Sequence, residues 1–317
     1  MRHPTVFLLL VWLATASTAL GQMNGLGKGE SAPSLYELTA HSDLVVVAKV
    51  LSGQIKLAQV EVVEVFRGKS APGERLQIAF RDFNLDLNKQ ERIQFIDGEM
   101  EALFLIPEVN LEGVPKGDNR YTLYRGRLGR FTLPREGEEI YREALRVFAS
   151  LAAEKDYRKL YSSLRGLLGS PNPLLADVGL DEVLRLDLME SSLLPRVLAY
   201  LQDPAPVRRG QALQLLGKFL ESLKPDERTQ ALQDDLLPQV QLLARNDPEE
   251  TVRVEAVGTL GAWGGPEVQA ALEAIAEQDP AQAVRYKAKV ILLRRYQEGA
   301  RPAAPGKGAS ALKSGPP

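Results

Sequence analysis

The residues that could carry chemistry are few. Histidine occurs twice, at His3 and His41, and cysteine does not occur at all. Thiol nucleophiles, thiolate zinc sites and His-rich metal centres are therefore excluded by composition. His41 stands alone after "SLYELTA", where a helix-capping or solvent-facing imidazole fits better than a general base. The densest run of carboxylates is "RDFNLDLNKQERIQFIDGE" (81–99), with Asp82, Asp86, Glu91, Asp97 and Glu99. Carboxylates in such number can bind a hard cation or transfer protons, but the order of oxygen ligands and glycine that a calcium loop needs is missing. A solvated loop or hairpin is expected there instead. There is no P-loop and no dinucleotide fingerprint. No catalytic, cofactor-binding or metal-ligating residue is assigned, and no cofactor is expected.

The remaining candidates are arginines that recur. Counting from Asp247 in "DPEETVRVEAVGTLG", Pro248 falls at +1, Arg253 at +6, Ala256 at +9, Leu260 at +13 and Gly261 at +14. From Asp203, "DPAPVRRGQALQLLG" puts Pro204, Arg209, Ala212, Leu216 and Gly217 at the same offsets. From Asp279, "DPAQAVRYKAKVILL" gives Pro280, Arg285, Ala288 and Leu292. A row of guanidinium groups can hold phosphates, or each can pair with the Asp of a neighbouring repeat and form a structural ladder. The ladder is preferred, because 39 Lys and Arg against 41 Asp and Glu leave no basic footprint for nucleic acid.

The elements that position these arginines follow from the same offsets. Each Asp is expected to cap a helix and each Pro to take its first position. The small Ala at +9 lets a neighbouring helix approach, and the Leu one turn later fills the seam. A weaker copy begins at Ser170, with Pro171, Gly179 and Val183 in register and Ala176 in place of the arginine. It reads as an edge repeat. The starts are 33, 44 and 32 residues apart, a solenoid-like period, and the longest unit holds the polar insert "ESLKPDERTQALQDD" (221–235). Second helices lie between the starts, as in "GPEVQAALEAIAEQ" (265–278), where Val268, Leu272 and Ile275 share a face.

With its Asp-Pro, Val-Arg and Ala positions, this pattern resembles the HEAT repeat family in its short bacterial form, over 170–297. The resemblance implies a right-handed stack of about four helix pairs whose concave side often binds another protein.

Upstream, the apolar period falls to two. Ser34 and Glu37 have capping-box spacing for a short helix ending before Asp43. Then "DLVVVAKVL" (43–51) reads as a strand buried on both faces, while "AQVEVVEVF" (58–66) and "RLQIAFR" (75–81) alternate. "EALFLI" (101–106), "RYTLYRG" (120–126) and "GRFTLP" (129–134) add three more strands. Six short strands and one helix imply a small antiparallel barrel. The "DLVVVAKV" strand, the "VFRGK" ending, "LFLI" and the closing "YRGRLGRFTL" are similar to netrin-like OB-barrel modules, relatives of the tissue inhibitors of metalloproteinases. This chain lacks the cysteines of the animal modules and of their inhibitory amino terminus, so protease inhibition is carried over to no residue. Tyr121, Tyr124, Phe131, Phe83 and Phe95 are expected mainly in the core, with a partner-contacting patch among them as the alternative. From Gly137 the helical period returns, with Ile140, Ala144, Leu145, Phe148, Leu151 and Ala152 on one stripe of a joint that would cover the end of the stack.

The amino terminus, "MRHPTVFLLLVWLATASTALGQ", has a basic start, an apolar run over 6–20 and small residues Ala19 and Gly21 before Gln22. It reads as a secretory signal peptide rather than an anchor, since a span needs about 20 apolar residues. The tail "GARPAAPGKGASALKSGPP" lacks apolar periodicity and is expected to be disordered. The fold class expected is α+β in two domains: signal peptide 1–21, linker 22–33, OB-like barrel 34–136, connecting helices 137–169, HEAT-like repeats 170–298, tail 299–317. The function expected is an exported, periplasmic or secreted, non-enzymatic interaction or scaffold protein with a protein partner, no nucleic acid and no membrane span after signal cleavage. The alternatives are an enzyme or ligand-binding module built on the 81–99 carboxylates, and an envelope structural or assembly factor.

Overall fold

The computed structural model describes residues 33–54, 56–80, 93–110, 113–223 and 236–299. The expected signal peptide, nearly all of the linker, Phe83, Asp82, Asp86, Glu91, most of the polar insert and the tail from 300 lie outside the described residues. The chain divides into two compact units, Met1–Leu188 and Met189–Pro317.

The first unit opens with helix α1 (Leu35–His41), where the Ser34 hydroxyl accepts a hydrogen bond from the Glu37 amide at 3.0 Å. Half of the capping box thus forms. The same hydroxyl also donates to the Glu182 carboxylate at 2.9 Å. Six strands follow: β1 (Leu44–Gln54), β2 (Leu57–Arg67), β3 (Arg75–Ala79), β4 (Met100–Pro107), β5 (Arg120–Leu123) and β6 (Arg130–Thr132). All six match strands read from the sequence.

Pairing runs β1-β2-β3-β5-β4 and returns from β4 to β1, which closes a five-stranded barrel. The pairing is antiparallel except between β3 and β5, which is parallel, so the closed sheet is mixed. β6 pairs with the first half of β4 and β5 with the second half, a short 3-10 turn (Gly126–Gly129) stepping the chain between them. Three register shifts in the β1–β2 ladder give the coil that closure requires. At Gly53 an added Cβ would lie 2.1 Å from the Phe95 carbonyl oxygen, so only glycine lets the end of β1 pass beneath the segment before β4.

β1 is buried on both faces, as expected, and the barrel shows why. Val46, Ala48 and Val50 point into the barrel with Leu76, Ile78 and Leu103. Val45 and Val47 point outward into a second cluster with Phe104, Phe148, Leu164 and Val178. That outer cluster is built by α2 (Glu138–Ala153), α3 (Tyr157–Leu167) and α4 (Pro173–Arg185). The stripe read on α2 is real, with Ala144, Leu145, Phe148 and Leu151 buried, but much of what it covers is the barrel and α1. Arg142 bonds Glu64 of β2, and Arg146 bonds the same carboxylate at 3.0 Å. The edge repeat therefore belongs to the barrel's unit: Asn172 caps α4 through the Leu174 amide at 3.0 Å, and Ala176, in the arginine's place, is buried.

The second unit is helical, with α5 (Leu194–Tyr200), α6 (Pro206–Ser222), α7 (Leu236–Asn246), α8 (Glu250–Trp263), α9 (Pro266–Gln278) and α10 (Gln282–Gly299). Ala212, Ala256 and Ala288 have no exposed surface, and neither do Leu216 and Leu260, so the repeat register is a packing register. One expectation is corrected. The aspartates do not cap the helices and the prolines are not their first residues, since α6, α8 and α10 begin two residues beyond each Asp-Pro. Each Asp instead accepts from the amide two residues on, at 2.8 Å for Asp203, 3.0 Å for Asp247 and 2.8 Å for Asp279. Held in this tight turn, the carboxylates of Asp247 and Asp279 point to the preceding repeat.

Candidate interaction surface of the repeat segment

The recurring arginines form the ladder. Arg209 grips Asp247 with both arms of its fork, Nε and Nη2 each at 2.8 Å, and its Nη1 donates to the carbonyls of Asp203 at 2.8 Å and Pro204 at 3.1 Å. One repeat on, Arg253 holds Asp279 at 3.0 and 3.3 Å and the carbonyls of Asp247 at 2.8 Å and Pro248 at 3.4 Å. All four partners in these two pairs are buried. Each arginine thus satisfies the turn at the start of its own helix and clamps the turn of the next. A bidentate, carbonyl-satisfied guanidinium is not available to a phosphate. Arg285 repeats the two carbonyl contacts, to Asp279 and Pro280, and no further Asp-Pro start follows it.

Residues 194–294 match the family of HEAT repeats. This is a HEAT-repeat segment. Among curated proteins, none matches the chain. The matched residues cover about a third of the 317 and include all three Asp-Pro starts, while the edge copy at Ser170 and the barrel lie outside them.

Within the HEAT-repeat segment, the first helices of successive repeats pack through small residues. Thr259 of α8 donates to the Leu213 carbonyl of α6 at 2.8 Å, and a Cβ on Gly217 would stand 3.6 Å from Thr259 Oγ1. Between α8 and α10 the approach is close at Gly261, where an added Cβ would stand 2.9 Å from the Ile291 side chain. A groove of about 680 Å³ opens there, lined by Gly258, Gly261 and Ala262 of α8 and by Lys287, Ile291 and Arg294 of α10. Sequence reasoning passed over this groove, although one signal was legible: between 282 and 295 there are five Lys or Arg and no Asp or Glu.

The barrel's candidates are placed as follows. The His41 Nδ1 lies 2.9 Å from the Glu37 carbonyl, and the exposed ring stacks on Tyr124, so it finishes α1 rather than facing a substrate cleft. Of the 81–99 carboxylates that are described, Asp97 accepts from the Gly53 amide at 2.8 Å, which ties the loop's end to β1. Among the described residues no group of three or more His, Asp or Glu could hold a metal ion, and no helix is long and apolar enough to cross a membrane. Phe95 is buried against Phe80, Phe131 packs between Phe104 and Tyr141, and Tyr121 and Tyr124 are half-buried against the two clusters.

A charge that the sequence left unremarked is Glu101. It alternates with Leu103 and Leu105, so it lies on the barrel's interior side, fully buried. Arg130 reaches its Oε1 at 2.8 Å and Thr132 donates to the same oxygen at 2.9 Å, while Oε2 has no partner among the described residues. Burial pushes this carboxyl above the usual glutamate value, and Arg130 and Thr132 offset only part of that. The Arg130 guanidinium is itself covered by the Phe95 ring, 4.5 Å from its centroid.

Proposed function

We propose that this is an exported, non-enzymatic interaction or scaffold protein in which the HEAT-repeat segment supplies the binding surface. The observation that supports it most is the Arg209–Asp247 and Arg253–Asp279 ladder within a segment that matches HEAT repeats. HEAT repeats commonly bind proteins, because stacked helix pairs present an extended surface while each interface between repeats holds the next in place. The ladder spends its charges on the stack itself, which leaves recognition to the faces between the turns. Export is supported by the basic start, apolar run and Ala19-Leu20-Gly21 at the amino terminus.

Two measurements test this function. After expression of the whole chain in a bacterial host, amino-terminal sequencing is expected to begin at Gln22 in a soluble exported fraction. Intact Met1 in a membrane fraction that needs detergent would identify an anchor instead. In cells of the source organism, chemical cross-linking and mass spectrometry should give a protein partner whose cross-links fall in 194–294. Cross-links confined to 33–188 would move the binding surface to the barrel unit and overturn the assignment.

A further inference from the structure

In the HEAT-repeat segment, fixed offsets from each Asp-Pro start face the next repeat. On α6, a Cβ at Gly210 (+7) would stand 3.9 Å from Glu255 of α8, and one at Gly217 (+14) 3.6 Å from Thr259. Leu213, at +10, accepts from the Thr259 hydroxyl. On α8, a Cβ at Gly261 (+14) would stand 2.9 Å from Ile291 of α10. The same offsets on α10 fall on Tyr286, Lys289 and Leu293. Among the described residues no helix follows, and Tyr286 and Leu293 are 69% and 62% exposed. A stack that ends in water carries polar residues on this face, whereas α10 carries two large apolar ones.

The ladder is open at the same end. Arg285 makes the two carbonyl bonds that orient Arg209 and Arg253 toward the next repeat's Asp, yet among the described residues no carboxylate meets its Nε and Nη2. A guanidinium held this way is set for a bidentate carboxylate. Residues 300–317 contain three Lys or Arg and no Asp or Glu, so they offer no side-chain carboxylate. A second copy does not offer one either: Asp247 and Asp279 are buried in their own rungs, and Asp203 is held by Arg208 at 3.2 Å and by the Ala205 amide. Packing α10 on its own copy would also bring together the five cations that each carries over 282–295. The rungs already formed show what fits. The repeat 247–278, against which α10 packs, holds seven Asp or Glu and one Arg. We propose that α10 docks an acidic helix pair of a different protein, stacked as a further repeat, with an aspartate from the turn before its first helix on Arg285 and apolar side chains on Tyr286 and Leu293. This rests on the protein-binding function given above.

The test uses the full chain and a fluorescein-labelled peptide of residues 247–278, whose Asp247 does for Arg209 what the partner's aspartate would do for Arg285. Such a segment can order on binding. Fluorescence polarisation should show saturable binding. Arg285→Ala in the chain, or Asp247→Asn in the peptide, should weaken it at least tenfold. Tyr286→Ser with Leu293→Ser should do the same, and because both side chains are exposed, thermal melts should show this variant folded. Val207→Ser with Leu242→Ser, exposed apolar positions on other helices of the segment, should leave binding within twofold. No saturable binding, wild-type affinity in the Arg285→Ala chain, or equal binding of a scrambled 247–278 peptide overturns the proposal. Self-association in sedimentation that the Tyr286 and Leu293 changes abolish would seat a second copy on this face and overturn it too. In the cross-linking described above, a partner attached within 194–281 but not at Lys287 or Lys289 would sink this docking mode and leave the protein-binding function standing. Absence of any cross-linked partner would overturn both.

Discussion

Two buried charges set the behaviour of the molecule at the residue scale, and they act in opposite directions. Arg253 is fully satisfied, with a carboxylate on one side and two carbonyls on the other. Removing it leaves Asp279 buried and unpaired, so Arg253→Ala should cost about 3–5 kcal/mol. Arg285→Ala, which removes carbonyl contacts but strands no carboxylate, should cost about 1 kcal/mol. Denaturant melts followed by Trp263 fluorescence compare the two, and equal costs would mean that the ladder's ion pairs contribute nothing. Glu101 is the opposite case, a buried carboxyl whose pKa is raised mainly by burial. As pH rises, the unfolded chain ionises first, near the ordinary value of about 4.3, while the folded barrel keeps its proton. Stability from this group is therefore fully present below the unfolded value and falls with rising pH until the higher folded value is passed. Urea midpoints of Glu101→Gln, measured by circular dichroism from pH 4 to 8, should lack this decline. An unchanged slope would assign the pH dependence to another group.

Among the helices and strands, what was legible in the sequence depended on how local its cause is. The six strands were visible because alternation, or in β1 a short continuous apolar run, is written in consecutive residues. The parallel β3–β5 pairing was not, since it depends on where the chain returns after the long β3–β4 connection. Ala256 and Leu260 could be placed in the seam because their offsets repeat, and the ladder followed from the repeated Asp and Arg. The start of each helix was misplaced by two residues because the carboxylate serves a turn and the preceding repeat's arginine before it serves the helix. Glu101 gave no signal, since one charge in a strand reads as an outward position until the barrel closes. The seam itself predicts three outcomes for thermal and urea melts. Ala256→Leu should overpack α8 and cost about 1–3 kcal/mol. Exposed Glu250→Ala should shift stability by less than about 0.5 kcal/mol, and Gly258→Ala should stabilise by up to about 1 kcal/mol through helix propensity. An Ala256→Leu variant as stable as Glu250→Ala would show that the repeat offsets do not mark a tight crossing.

For the whole molecule, the question is where the chain can be cut. The repeat pattern alone puts a domain boundary near Ser170, but the cores put it elsewhere. Leu174, Leu175 and Val178 of α4 are buried in the same cluster as Phe104 of the barrel and Phe148 of α2, and Leu186 packs against that cluster. Glu182, almost wholly buried, joins α4 to the first turn of α1 through Ser34. A fragment of 33–188 keeps every one of these partners. A fragment of 33–169 uncovers the apolar surface that α4 shields, and at about 1.5–3 kcal/mol for each large side chain the loss of three is of the order of a small domain's entire stability. The fragment 33–188 should therefore unfold in one cooperative transition with dispersed amide resonances, and 33–169 should bind a hydrophobic dye or fail to fold. Were 33–169 to melt as sharply as the longer fragment, α4 would be a detachable first repeat, and the outer cluster would contribute little to holding the barrel together.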